Sequence, residues 1–473
     1  MRAAVASLAT GLIGLLVASL ASVAPAASAM PMEQTPVGTS GGETVLDFAQ
    51  ARQRLRQVSD ALAAADANVR GKGELSQATR SLRLPDLSVE VRRMELQKSL
   101  ALPLGSLAPV AEDYGIESPL KFVDRKWYTR PVLTATMPLY SGGLIPAAQQ
   151  AAAAAERQAE AERDGQDQSL TTQLVQAYFG QQLAEYALAV RLDVRDGMQR
   201  HLDDASKLER EGFATRAQRL QATVARDKAE RDYRKAFDEL ATARSALSTL
   251  LHDERPTRPL SRLFVSSTPA APLQGYLDTA LERHPQIQRL RAMTDQAEQG
   301  VRVQQARLKP VVYAFGQYDM NRDNALITDP DWAFGIGLKY TFLSSSDRSR
   351  QISAAREQQT QAEAGLREAG NRIEIGVSQS WNALETARTQ FLLLDSSIEQ
   401  ARENLRLQEL GFREGQSTSL DVIDARLALG GAQVERAQAA YQYDLALAQL
   451  LEISGQSGHF DEYLRKADRT VSP

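Results

Sequence analysis

Arg413-Glu414-Gly415-Gln416-Ser417-Thr418-Ser419-Leu420-Asp421-Val422-Ile423-Asp424 reads as the tip of a hairpin between two long helices. On its N-terminal side Leu384, Ala387, Phe391, Leu394, Ile398, Ala401 and Leu405 recur at alternating steps of three and four. That is the seam of a helix packed lengthwise against other helices. Gly415 can take the left-handed conformation that ends such a helix. Thr418, three residues before Asp421, supplies the capping box that starts the next one.

The tip occurs twice. Arg210-Glu211-Gly212-Phe213-Ala214-Thr215-Arg216-Ala217-Gln218 carries the same pattern, and both Gly415 and Thr418 lie 203 residues beyond Gly212 and Thr215. Gln218 stands where Asp421 stands, so the box survives with an amide in place of a carboxylate. A hairpin repeated at constant offset predicts an internal duplication.

The 473 residues carry a net charge of −4 and no cysteine. Nothing in that balance points to nucleic acid, and disulfides, thiolate metal sites and a lipid anchor on an N-terminal cysteine are excluded. Residues 1–29 read as an export signal: Arg2, an apolar run from Ala3 to Val23, and the small-residue site Ala27-Ser28-Ala29. A retained membrane-spanning helix is the competing reading of that run. The mature chain then begins near Met30, outside the cytoplasm.

In chain order, the spacing predicts a helix over about 44–82, stopped by Pro85, then a strand in which Leu87, Val89 and Val91 alternate with Ser88, Glu90 and Arg92. Residues from about Ser99 to Lys126, with three prolines and two glycines, read as a long loop. A second strand runs from Trp127 to Tyr140 and ends at Ser141-Gly142-Gly143. Helix follows from about Pro146 to Glu211, with Ala187, Val190, Val194, Met198, Ala205 and Leu208 as its seam, and returns from Thr215 to about Leu251. This makes residues 30–255 a first repeat and 256–272 a Pro-rich linker. The second repeat, 273–455, has the same order: helix over about 273–308, Pro310, strand Val311–Tyr318, and a loop to Pro330. The clearest strand in the chain follows. Trp332, Phe334, Ile336, Leu338, Tyr340 and Phe342 point one way and Ala333, Gly335, Gly337, Lys339 and Thr341 the other. A long helix to Glu414 and a returning helix to about Leu451 complete it, leaving 456–473 as a loosely held polar tail.

Four strands with one apolar side cannot make a stable soluble sheet alone, and a membrane barrel needs about eight. Trp127, Tyr128, Trp332 and Tyr340 read as membrane-interface aromatics. A sheet face packed on a protein core is the alternative. The export signal, and helices too long for a globular domain, favour several chains that each give four strands to one barrel and continue beneath it as a helical tube.

The signal, the duplicated order of elements and especially Gly415-(x5)-Asp421-Val422-Ile423-Asp424-Ala425-Arg426 resemble the TolC-like outer-membrane factor family over about residues 44–455. The resemblance implies a mixed α and β membrane protein: a homotrimer with a twelve-stranded outer-membrane barrel, four strands per chain, above a periplasmic α-helical barrel. It implies the exit duct of a tripartite efflux pump or type I secretion system, partnered by a periplasmic adaptor and an inner-membrane transporter, in contact with outer-membrane lipid. Asp421 and Asp424 match the aspartates that line the family's periplasmic constriction, where six carboxylates would surround the axis. Against this, Asp421 also reads as a capping residue and Asp424 as a solvated helix charge. The chain departs from the family pattern as well. Ser417 replaces an arginine that ties the tip into an ion-pair network, Phe412 keeps an expected aromatic, and Ala217-Gln218 replaces a threonine-aspartate pair. Arg216 and Arg219 are candidate substitutes, or ordinary solvated charges.

No enzyme, metal or cofactor chemistry is legible. The four histidines, His201, His252, His284 and His459, are scattered without ligand spacing, and no phosphate loop or nucleophile elbow occurs. His201 falls on a helix seam and reads as a packing residue. The rival function is an exported structural or adhesive coiled coil, which explains the seams but not the four strands. The cargo, and whether the pump is of the RND, ABC or MFS class, are not written in the chain.

Overall fold

Two helical seams and one alternating sheet account for most of the architecture. The computed structural model describes residues 43–321 and 330–471. The export signal, the expected mature start near Met30 and most of the loop before Pro330 lie outside the described residues.

The first half contains β1 (Thr44–Leu46), α1 (Phe48–Val58), α2 (Asp60–Ala78), β2 (Asp86–Leu102), α3 (Ala108–Glu112), β3 (Leu120–Tyr140), α4 (Leu144–Arg210) and α5 (Arg216–Leu250). Between the halves lie β4 (Thr257–Pro259) and β5 (Leu263–Val265). The second half contains α6 (Leu273–Arg283), α7 (Pro285–Ala306), β6 (Val311–Asp319), β7 (Trp332–Lys339), α8 (Arg348–Arg413) and α9 (Ser419–Ile453), followed by α10 (Phe460–Lys466) and β8 (Arg469–Val471). The element order of the first half recurs in the second. Helices α4 and α8 have 67 and 66 residues, about 100 Å each at 1.5 Å per residue. Their seams are buried as the spacing predicts: Val190, Val194, Met198 and Ala205 on α4, and Leu384, Ala387, Phe391, Ile398 and Leu405 on α8.

Three expectations are corrected. The leading helix of each half is broken. Ser59 Oγ accepts from Leu62 N at 3.3 Å and starts α2, while His284 Nδ1 accepts from Gln286 N at 3.0 Å ahead of Pro285 and starts α7. Apolar spacing continues across each break, so periodicity does not reveal it; the cap residues do.

The stretch from Ser99 to Lys126 is mostly strand rather than loop. The β2–β3 ladder runs unbroken from Asp86↔Thr136 to Leu102↔Leu120. Its outer part carries charges on both faces, among them Lys98, Asp124, Arg125 and Lys126, so there is no apolar–polar contrast to read. The 53 residues from Pro85 to Pro138, against 31 from Pro310 to Thr341, therefore lengthen two strands as well as their connection.

The linker and tail are both built into the molecule. β4 pairs in parallel with β1, and β5 pairs antiparallel with β8. Phe460, fully buried, packs against Phe48 and Phe264 with ring centroids 4.9 and 5.7 Å apart. Tyr178 joins this centre, donating to Leu46 O at 2.8 Å and accepting from Ser261 N at 2.8 Å. Strands of three residues are too short to show alternation, and their partners lie some 200 positions away.

Candidate functional site

The two tips share one backbone solution. Gly212 and Gly415 have φ of +83° and +77°, a conformation that costs a side chain energy and glycine none. Behind Gly415, Gln416 N donates to Gly411 O at 2.7 Å; behind Gly212, Phe213 N donates to Leu208 O at 2.8 Å. Each bond closes an otherwise unsatisfied helix carbonyl. Both capping boxes are present. Thr215 Oγ1 accepts from Gln218 N, and Thr215 N donates to Gln218 Oε1 at 2.8 Å. In the second box Thr418 N and Oγ1 donate to Asp421 Oδ2 at 2.8 and 2.7 Å. The hydroxyl of Thr418, and then its backbone N–H, hold the Asp421 carboxyl below its ordinary pKa.

Asp421 and Asp424 are both exposed on α9, three residues apart and so on one face. Asp421 is engaged by its cap, whereas Asp424 has no hydrogen-bond or ion-pair partner among the described residues. Ser417 spans the second hairpin, its hydroxyl donating to Gln408 Oε1 at 2.8 Å. Of the two arginines near the first tip, Arg219 is ion-paired with Glu209 across the α4–α5 hairpin, and Arg216 is an exposed charge.

Sequence reasoning missed the strongest tie at the second tip. Arg426, 8% exposed, reaches from α9 between α4 and α8. Its guanidinium pairs with Glu409 on α8 and lies 3.7 Å from Asp193 on α4. It passes directly over Gly197, where an added Cβ would sit 2.1 Å from the guanidinium. One buried cation thus joins three helices. Beside it His201, buried as its seam position predicts, meets Ser419 Oγ through Nε2 at 2.7 Å and packs on Phe412 at 4.7 Å. Burial pushes the His201 pKa down. The signal was in the Gly415-to-Arg426 motif, where Arg426 stands among the buried positions Val422, Ile423, Ala425 and Leu429.

The four main strands form one antiparallel sheet in the order β2-β3-β6-β7. Register sorts its two faces. Leu87, Val89, Val91, Leu133, Ala135, Met137, Ala314, Tyr318, Trp332, Phe334, Ile336 and Leu338 share one face. Much of it is bare, with Phe334 74% and Ile336 72% exposed. The other face carries Thr134, Thr136, Gln317, Lys339 and the pair Arg130–Asp319 at 2.6 Å. There Gly335 and Gly337 lie under the rings of Phe315 and Tyr313; a Cβ on Gly337 would come within 2.5 Å of Tyr313.

Trp332 and Tyr340 bracket the apolar stretch of β7, eight residue steps or about 26 Å of strand apart. Trp127 shares the apolar face. Tyr128 does not: paired with Met94, it points to the opposite side, 1% exposed, with Lys98 4.0 Å above its ring and its hydroxyl donating to Asp124 Oδ2 at 2.6 Å. Its reading as an interface aromatic is corrected, because adjacent residues of a strand face opposite ways.

Among the described residues no group of three or more His, Asp or Glu side chains is placed to hold a metal ion.

Comparison with known proteins agrees with this geometry. The outer membrane efflux protein BepC of Brucella suis biovar 1 (strain 1330) is 24% identical over 317 residues, 64% of this chain and 68% of that protein. The fold matches the outer membrane protein VceC of Vibrio cholerae with a TM-score of 0.70 at 16% identity, over 86% of this chain and 96% of that one. It also matches the open state of the Neisseria gonorrhoeae MtrE outer membrane channel, with a TM-score of 0.66 at 19% identity, over 87% and 89% of the two chains. The profile of the outer membrane efflux protein family matches residues 51–251 and 276–456, so this chain belongs to that family and is an outer-membrane protein extending into the periplasm.

Proposed function

We propose that three copies of this chain close their sheets into one twelve-stranded barrel and their helices into a tube below it, forming the exit duct of a tripartite efflux pump. The observation that carries this is the bare apolar face on a sheet whose outer edges, β2 and β7, have no partner strand among the described residues. In a bilayer an open edge leaves backbone groups unsatisfied at several kcal/mol each, so the edges must pair with other copies. Exposed apolar residues on the outer helices, Val224 and Phe237 on α5 and Ile375 and Leu393 on α8, suit the same closure.

In that assembly Asp421 and Asp424 line the periplasmic entrance, six carboxylates around one axis, favouring cations at close range. A periplasmic adaptor and an energised inner-membrane transporter deliver the cargo, and type I secretion is the sister use of the same duct. An exported coiled coil without channel activity would leave the apolar sheet face without a purpose.

Detergent-extracted protein should migrate as a heat-modifiable trimer and conduct in planar bilayers. Asp421→Ala with Asp424→Ala should reduce cation selectivity and block by divalent cations. A monomer that needs no detergent ends the duct reading, and unaltered selectivity and block remove the two aspartates from the pore.

A further inference from the structure

At the foot of the sheet, on its polar side, a cavity of about 510 Å³ opens where the strands meet α7 and α8. Its titratable cations are Arg307, Lys309, Lys339 and Arg348, and no carboxylate lines it. Elsewhere on the same helices some cations end on acids, Arg302 on Glu298 at 2.6 Å and Arg350 on Asp347 at 3.2 Å, while others such as Arg291 and Arg413 end on backbone carbonyls. Asp347, the acid nearest in sequence, is turned away and caps α8 through Ser349 N and Arg350 N at 3.0 and 3.1 Å.

The four cations find only neutral partners. Arg348 Nη1 donates to Arg307 O at 2.8 Å and to Thr341 O at 3.2 Å, and Arg307 Nη1 donates to Gln304 Oε1 at 3.2 Å. Lys309 and Lys339 are exposed and make no side-chain hydrogen bond or ion pair among the described residues.

The surrounding backbone is shaped to hold this arrangement. Gly142, at φ +68°, lets the turn after β3 press against the end of α7; a Cβ there would lie 2.8 Å from Ala306 O and 2.9 Å from Lys309 Cβ. Gly337 makes room for the Tyr313 ring along the cavity wall. Like charges gathered without a counter-charge repel one another, a cost that an anionic ligand reverses by accepting several charge-assisted hydrogen bonds at once. The hydroxyls of Tyr313, Thr341 and Ser344 add neutral donors.

We propose that this cavity is an anion-binding site on the lumen side of the barrel, taking phosphate, sulfonate or carboxylate groups of cargo as it passes from the helical tube into the barrel. This rests on the duct reading, in which the polar sheet face is the lumen wall. Three copies present twelve cations in a ring, the arrangement that selects anions in pores, and set an anion-favouring exit above an acidic entrance.

The test reconstitutes the trimer in planar bilayers of neutral phosphatidylcholine and adds tripolyphosphate to the bath, comparing wild type with Lys309→Gln/Lys339→Gln. Both lysines are exposed, and heat-modifiable migration checks that the variant still assembles. Wild type should be blocked in a concentration-dependent way, the variant at least tenfold more weakly, with its reversal potential in a KCl gradient shifted toward cations. Equal block in both proteins, or none in either, overturns the proposal. So does a variant whose only change is loss of co-purified phospholipid, which would make the cations a lipid-headgroup site. If no conductance is obtained at all, the duct reading fails separately. Calorimetric titration of tripolyphosphate into detergent-solubilised protein then decides the site, with tenfold weaker binding by the variant expected and equal binding fatal to it.

Discussion

The first and second tips have the same backbone and different side-chain chemistry. Each ends its long helix on a left-handed glycine and begins the next with a threonine capping box. Beyond that they part. At the 203-residue offset Asp421 and Asp424 correspond to Gln218 and Gln221, and Arg426 corresponds to Thr223. Helix α9 buries seventeen of its 35 residues, packed against both long helices, whereas α5 buries five of 35. A repeated hairpin needs the glycine and the cap in both places, because both satisfy backbone groups that every helix end exposes. Charge and buried pairing are free to differ, and here the two exposed aspartates, Asp421 and Asp424, and the three-helix tie sit on the returning helix of the second half.

The sharpest way to break this comparison is to remove the tie. Arg426→Ala should destabilise the α9 tip by roughly 2–3 kcal/mol, below the ~3–5 for a fully buried pair because Glu409 is a third exposed. Its counterpart Thr223→Ala should stay within about 0.5 kcal/mol. Hydrogen exchange of the tip amides reads both, and equal effects would make the two tips alike after all.

The shared device is tested next. Thr215→Ala and Thr418→Ala should each cost about 1 kcal/mol, the second somewhat more because its box contains a charged partner. A silent Thr418→Ala would mean that the cap does not hold the second tip.

Transplanting the acids probes charge alone. Gln218→Asp with Gln221→Asp keeps the first capping box and should change stability by no more than about 0.5 kcal/mol. Cation selectivity in bilayers should rise if the first tip also borders the entrance, and stay constant if only the second does.

The smallest effect is a pH dependence confined to the second tip. His201 is kept neutral first by burial, with Arg426 opposing its protonation and Asp204 and Glu409 favouring it; Arg200 and Arg413 also face the same cavity. Its folded pKa lies below the ordinary 6.5, so the unfolded chain takes up the proton first. Its contribution is therefore complete above about pH 6.5 and lost as pH falls through the folded value. Protection factors at the second tip, which divide out the intrinsic pH dependence of amide exchange, should fall on acidification through that window, and His201→Asn should flatten the response while protection at the first tip stays unchanged in both proteins.

Much of this was legible in the chain. Steps of three and four located the long helices and their buried seams, alternation located the apolar strand at Trp332, and the Gly-(x2)-Thr-(x2)-Asp/Gln pattern located both tips. Each of these is a local code, written within about ten residues by the helix period, the strand period or a cap. What stayed hidden depends on partners far away in the chain. The outer β2–β3 strands show no apolar contrast because both faces mix charged residues with apolar ones, Lys98 and Asp124 beside Leu100 and Phe122 on one and Arg125 beside Val123 on the other. The β4 and β5 segments became strands only through β1 and β8. Arg426 is readable as a tie only when Gly197, Glu409 and Asp193 are brought around it. Tyr128 was placed on the wrong side because one residue of register reverses a strand's face.

Period and capping depend on the geometry of a single element, so the order of amino acids settles them. Pairing and charge compensation depend on which elements meet, and only the folded chain decides that.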